Sequence, residues 1–96
     1  MRRAHRVDGP QAEVIRVLRS VGASVVDLSA VGSGCPDLLV SFGGTTVLME
    51  VKSRDGSLQK NQKKFIRGWS GHYVVVRSSE DALKWVQSIF IRVGAM

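Results

Sequence analysis

Two runs of strand-forming residues, 37–42 and 45–52, are separated only by Gly43-Gly44, and no other feature constrains the chain as much. Tight primed turns need positive φ at both central residues, which glycine adopts without strain, so the segment predicts an antiparallel hairpin with a two-residue loop. In that register Phe42 faces Thr45, and Asp37 lies directly opposite Glu50. Directly opposed residues share a face with Cβ atoms about 4.5–5.5 Å apart, and like charges placed this way destabilise a sheet. Lys52 is two residues beyond Glu50 and therefore on the same face. A four-residue loop would keep that shared face, whereas an odd loop or a bulge would break it.

Two carboxylates and an ammonium at one end of an otherwise apolar hairpin call for a cation. A hard divalent ion such as Mg²⁺ or Mn²⁺ takes oxygen ligands and needs few protein carboxylates, because water and substrate phosphate complete its shell. Asp37 and Glu50 would supply those ligands, with the backbone carbonyl of Val51 as a third. Lys52 would orient or help deprotonate an attacking water and offset transition-state charge. Read from the hairpin alone, the same residues serve equally well as ion-paired or solvated strand ends.

The rest of the chain reads in order. Asp8-Gly9-Pro10 opens a helix that runs to Val21, with Val14, Leu18 and Val21 as its buried stripe and Gly22 beyond its end. Ser24 to Leu28 is a short strand, and Val31 to Pro36 is loop, with two glycines and a proline in six residues. After a turn at 54–57, a helix is expected from Leu58 to Trp69, a strand from Tyr73 to Arg77, and a last helix from Ser78 or Ser79 to Phe90 that buries Leu83, Val86 and Phe90. The order αβββαβα predicts an α/β or α+β domain on a mixed sheet flanked by helices. We expect residues 1–9 to form a basic arm and residues 10–96 a single domain.

Charge and cysteine content narrow the class. The 96 residues carry 14 Lys+Arg against 8 Asp+Glu, a net +6 that attracts phosphates, acidic proteins or anionic lipid. The longest apolar stretches fall far short of the roughly 20 residues that span a bilayer, and no apolar segment follows the basic N-terminus. A soluble protein of the cytoplasm is therefore expected, without membrane association. Cys35 is the only cysteine, which rules out an internal disulfide and a cysteine-based zinc site. It has no evident base and reads as structural, and His5 and His72 are too isolated to pair on a metal.

Gly34-Cys35-Pro36-Asp37-Leu38-Leu39-Val40 followed by Leu48-Met49-Glu50-Val51-Lys52 resembles the PD-(D/E)xK signature of the restriction-endonuclease-like superfamily. Within it, the helix before the motif and Leu58 to Gln62 with Phe65 after it are most similar to the stand-alone virus-type replication-repair nuclease (VRR-Nuc) domain, over roughly residues 11–77. The resemblance implies a restriction-endonuclease-like αβββαβ core. It implies that Asp37 and Glu50 bind metal, that Lys52 is the catalytic lysine, and that Gln62 points at the site. Periodicity agrees for Gln62, a polar residue in a sheet-facing stripe with Phe65, Ile66 and Trp69, although a capping glutamine would sit there too. Glu13 matches a metal-binding acid of the first helix; from the residues alone it is a surface partner of Arg16 at i+3.

What the resemblance implies is an Mg²⁺- or Mn²⁺-dependent endonuclease without a small-molecule cofactor, similar to Holliday-junction resolvases, with branched or duplex DNA as substrate and a homodimer as the working form. A replication or repair role in a phage fits the family. Lys60, Lys63, Lys64 and Arg67 on the helix of Gln62, with Arg2, Arg3 and Arg6 in the N-terminal arm, would meet the DNA backbone. The Gly32-Ser33-Gly34 loop is expected to pass close to the site. The rival readings are a non-catalytic DNA-binding module of the same fold, which would have no need for opposed carboxylates, and a nuclease for flaps, nicked duplex or RNA.

Overall fold

A computed structural model describes residues 9–94. The elements are α1 (Gly9–Ser20), β1 (Ser24–Asp27), β2 (Leu38–Phe42), β3 (Thr45–Val51), α2 (Lys60–Arg67), β4 (Tyr73–Val76) and α3 (Ser79–Gly94). One four-stranded sheet has the order β1-β2-β3-β4. Its first two pairings are antiparallel and β3·β4 is parallel, with α2 in the crossover. This mixed sheet with three helices is the α/β fold expected from the sequence. Arg2, Arg3, His5 and Arg6 lie outside the described residues.

Phe42 pairs with Thr45 and Leu38 with Met49, the register that a two-residue loop dictates. Gly43 and Gly44 take φ of 59° and 82°, and the positive φ at both positions is why glycine stands there. Alternation then sorts the sheet into two faces. Leu38, Val40, Val47, Met49 and Val76 form a core with Val14 and Leu18 of α1 and Ala82 and Val86 of α3. Truncating Leu18 or Met49 there costs about 2–5 kcal/mol by loss of transfer free energy and the cavity left behind. The other face presents Asp37, Leu48, Glu50, Tyr73 and Val75 toward α2.

Four expectations are corrected. Val21 follows the end of α1 and is 41% exposed, because its N–H turns back to Leu18 and the helix closes at Ser20. Helix α2 is shorter than 58–69; Gln59 caps it and Gly68 ends it. Trp69 is outside that helix, with its indole N–H donated to the His72 carbonyl at 3.2 Å. Helix α3 extends to Gly94, and its buried stripe is Ala82, Val86 and Ile89, an i, i+4, i+7 set that leaves Phe90 68% exposed. Among the described residues, no helix is long and apolar enough to cross a membrane.

Candidate active site

Asp37 stands where three strands meet, one residue before β2. Its carbonyl accepts the Leu28 N–H at 2.7 Å, which extends the β1·β2 ladder by one step. Its carboxylate accepts the Val51 N–H at 2.9 Å. The Lys52 N–H points the other way, to Val76 of β4, so alternation directs both polar groups of Val51 toward the Asp37 side. A side-chain oxygen thus takes the place of the next backbone partner, and the Asp37 carboxyl is held against the end of β3. The Val51 carbonyl faces the same edge.

Glu50 is 2% exposed, the one buried charged residue among those described. Its Oε2 accepts a hydrogen bond from Gln62 Nε2 at 3.0 Å and lies 3.9 Å from Lys52 Nζ. Its Oε1 is buried with no hydrogen-bond partner. Burial, and then the negative charge of Asp37, push its carboxyl up to about 7, while Lys52 works in the opposite direction. A buried acceptor left unpaired costs roughly 1–3 kcal/mol, more for a charged group, so Oε1 is short of a partner although Lys52 faces Oε2. Oxygen donors from Asp37, Glu50 and Val51 are of the kind that would suit a hard divalent cation.

Helix α2 supplies the cover. Gln62 has two tasks at once: its side-chain oxygen accepts the Gln59 N–H at 2.7 Å in a capping box, and its side-chain nitrogen reaches Glu50. The residue is thus both a capping glutamine and a hydrogen-bond partner of Glu50. Gly34 allows the helix this close. A Cβ at Gly34 would meet the Asn61 carbonyl oxygen at 2.3 Å, and φ of +80° already favours glycine. The Gly32–Gly34 loop therefore lies directly against the start of α2.

Of the other expected site residues, Lys60, Lys63, Lys64 and Arg67 are all exposed on α2, whereas Gln62, Phe65 and Ile66 are half-buried toward the sheet. Glu13 is not brought to the pair. It is ion-paired with Arg16 on the surface of α1, the helix that packs on the Leu38–Met49 face, whereas Asp37 and Glu50 point to the opposite face. Among the described residues, no group of three or more His, Cys, Asp or Glu side chains is placed to hold a metal ion.

Two neighbours were not anticipated as part of this environment. Tyr73 pairs with Leu48 and shares the Glu50 face; its hydroxyl is buried without a partner. Burial, then Glu50 and Asp37, push it up to about 12. Strand alternation puts Tyr73 and Val75 on one face in the sequence, but nothing there sets the parallel register that aligns them with Leu48 and Glu50. Cys35 is held as a thiol by burial first and then by the charges of Glu50 and Asp37, which fits its structural reading.

Comparison with known proteins adds one finding. A search of curated proteins and a search of solved structures returned no match. A family model, the VRR-NUC domain, matches residues 4–80. The match spans Asp37, Glu50, Lys52 and Gln62 and most of the chain, and its nuclease-like character agrees with the carboxylate pair, the lysine and the glutamine gathered beneath α2: the chain belongs to the VRR-NUC domain family.

Proposed function

We propose that the protein is an Mg²⁺- or Mn²⁺-dependent endonuclease that hydrolyses phosphodiester bonds in DNA. The observation that carries this reading is the Asp37–Glu50 pair, two acids directed to one edge with a buried, unpaired Glu50 oxygen and, among the described residues, no cationic partner nearer than Lys52 at 3.9 Å. Asp37, Glu50 and the Val51 carbonyl would hold the cation, which when bound supplies Lewis-acid polarisation of the phosphate and a more acidic water. Lys52 is positioned to orient that water and to balance charge that develops on the phosphoryl oxygens. Gln62 fixes the orientation of Glu50 by donating to one oxygen and leaving the other available.

The exposed cations of α2 border this site and suit a phosphate backbone. A two-fold homodimer would present two such sites to the two strands of a branched substrate, so a four-way junction is the favoured form of DNA. The test is incubation of purified protein with end-labelled linear, flap and four-way-junction DNAs in Mg²⁺, Mn²⁺ or EDTA, beside Asp37→Ala. Metal-dependent cutting by the wild type alone is expected, strongest on the junction. Equal cleavage by Asp37→Ala, or binding without cleavage by both, overturns the reading.

A further inference from the structure

Lys52 and Gln62 belong to different elements, and the segment between β3 and α2 is their covalent link. Its first residues, Ser53-Arg54-Asp55-Gly56-Ser57, contain no apolar side chain that could anchor them in a core. The turn has a single internal backbone bond, Gly56 N–H to the Ser53 carbonyl at 3.1 Å. It is tight: a Cβ on Gly56 would lie 2.9 Å from Ser53 Oγ.

The residue just after β4 holds this turn. Arg77 Nη1 is 2.8 Å from the Ser53 carbonyl oxygen, and the carbonyl oxygens of Gly56 and, at 3.5 Å, Arg54 converge on the same nitrogen. Arg77 is itself fixed, since its backbone N–H donates to Asp81 Oδ2 at 2.9 Å at the start of α3. Val51 pairs with Val76 in the parallel register, so Lys52 and Arg77 each stand one residue past the last pair. Lys52 is directed at Glu50, 3.9 Å from its Oε2, while the Arg77 guanidinium is held by the turn carbonyls. All three carbonyls converge on the terminal nitrogen Nη1, so reach decides the contact, and the shorter lysine side chain would hold these carbonyls less well.

We infer that Arg77 is a positioning residue: by holding the 53–56 turn it sets the separation between Lys52 at the end of β3 and Gln62 on α2, and so the shape of the site in which Glu50 sits. This rests on the nuclease reading for its catalytic consequence, though not for its structural one. The test compares wild type, Arg77→Ala and Arg77→Lys by hydrogen exchange with mass spectrometry on peptides covering residues 53–62, and by cleavage kinetics in Mn²⁺. Circular dichroism checks that each variant is folded, as the exposure of Arg77 leads us to expect.

In Arg77→Ala, the hydrogen-bonded amides of Gly56 and Gln59 should exchange at least about tenfold faster, kcat should fall about tenfold, and KM should stay within about twofold; Arg77→Lys should recover part of each loss. Unchanged exchange overturns the inference. So does a raised KM with unchanged kcat, which would make Arg77 a phosphate contact instead. If the wild type cuts no DNA under any metal, the proposed function falls while the exchange experiment still decides whether Arg77 holds the turn.

Discussion

Gln62 donates to Glu50 across 3.0 Å while the same amide accepts the backbone N–H of Gln59. One planar group therefore ties the start of α2 to a buried carboxylate of β3, and its two ends cannot be exchanged: the oxygen is committed to a donor and the nitrogen to an acceptor. Replacing Gln62 with Ala removes a cap and takes from Glu50 the donor that reaches its Oε2. The expected cost is about 1–2 kcal/mol in urea unfolding, with divalent-metal affinity by calorimetry reduced about 10–100-fold. Gln62→Glu should be worse for the apo protein, because it sets a third carboxylate against Glu50 where the donor was.

Gly34→Ala tests the seating of the loop on α2. A methyl group there meets a backbone carbonyl oxygen at 2.3 Å in a left-handed conformation, and neither atom belongs to a flexible side chain. Destabilisation of about 2 kcal/mol or more is expected, together with faster exchange at the N-terminus of α2. Gly32→Ala is the control, since it has a similar φ of +76° but nothing within 4 Å of the added Cβ. The difference between the two variants isolates the clash from the backbone strain; equal losses would place the loop away from the helix.

Glu50 predicts an unusual pH dependence. Its carboxyl sits near 7 in the folded chain and near its ordinary value of 4.5 when unfolded, so the native state binds the proton more tightly. Stability from this group is fully present below about 4.5 and is lost as pH rises toward about 7, by a few kcal/mol at most at about 1.4 kcal/mol per pH unit. Urea unfolding in EDTA across that range should show the decline, and Glu50→Gln should flatten it. Mg²⁺ or Mn²⁺ should stabilise wild type at neutral pH and leave Glu50→Gln nearly unaffected, because a ligand that binds only the folded state raises its stability. A wild-type profile parallel to that of the variant would remove Glu50 from this role.

Lys63→Glu with Lys64→Glu addresses the partner. Both side chains are exposed on α2, and reversing them should weaken DNA binding at every sequence and lower the slope of log affinity against log salt. Anisotropy titrations in EDTA at several salt concentrations, on a background of Asp37→Ala, which the proposed function expects to be inactive, measure this without cleavage. An unchanged slope would put the phosphate backbone elsewhere on the surface.

The hairpin and its site were legible in the sequence because each rested on local rules. Gly43-Gly44 permits a two-residue turn, the turn fixes the register, and the register together with strand alternation sends Asp37, Glu50 and Lys52 to one face. The core of α1 at Val14 and Leu18 followed from helical spacing in the same way. Helix ends were less legible: Val21 and Phe90 are apolar at helical spacing, yet one follows a chain reversal and the other lies beside the stripe that the sheet covers.

Relations between elements distant in sequence were decided only by tertiary structure. The parallel register of β4 on β3 brings Tyr73 to the Glu50 face and Arg77 within reach of the Ser53 turn, and no local rule sets a parallel register across a crossover. Glu13 shows the same limit from the other side: its helix packs on the face opposite Asp37 and Glu50, so a residue that matches a site position in the sequence is a surface partner of Arg16 in the fold. The chemistry of the pair could be read from residue types and spacing. How deeply Glu50 is buried, what Gln62 holds and which side chain fixes the turn between them depend on packing between elements, and one sequence specifies that only through the folded whole.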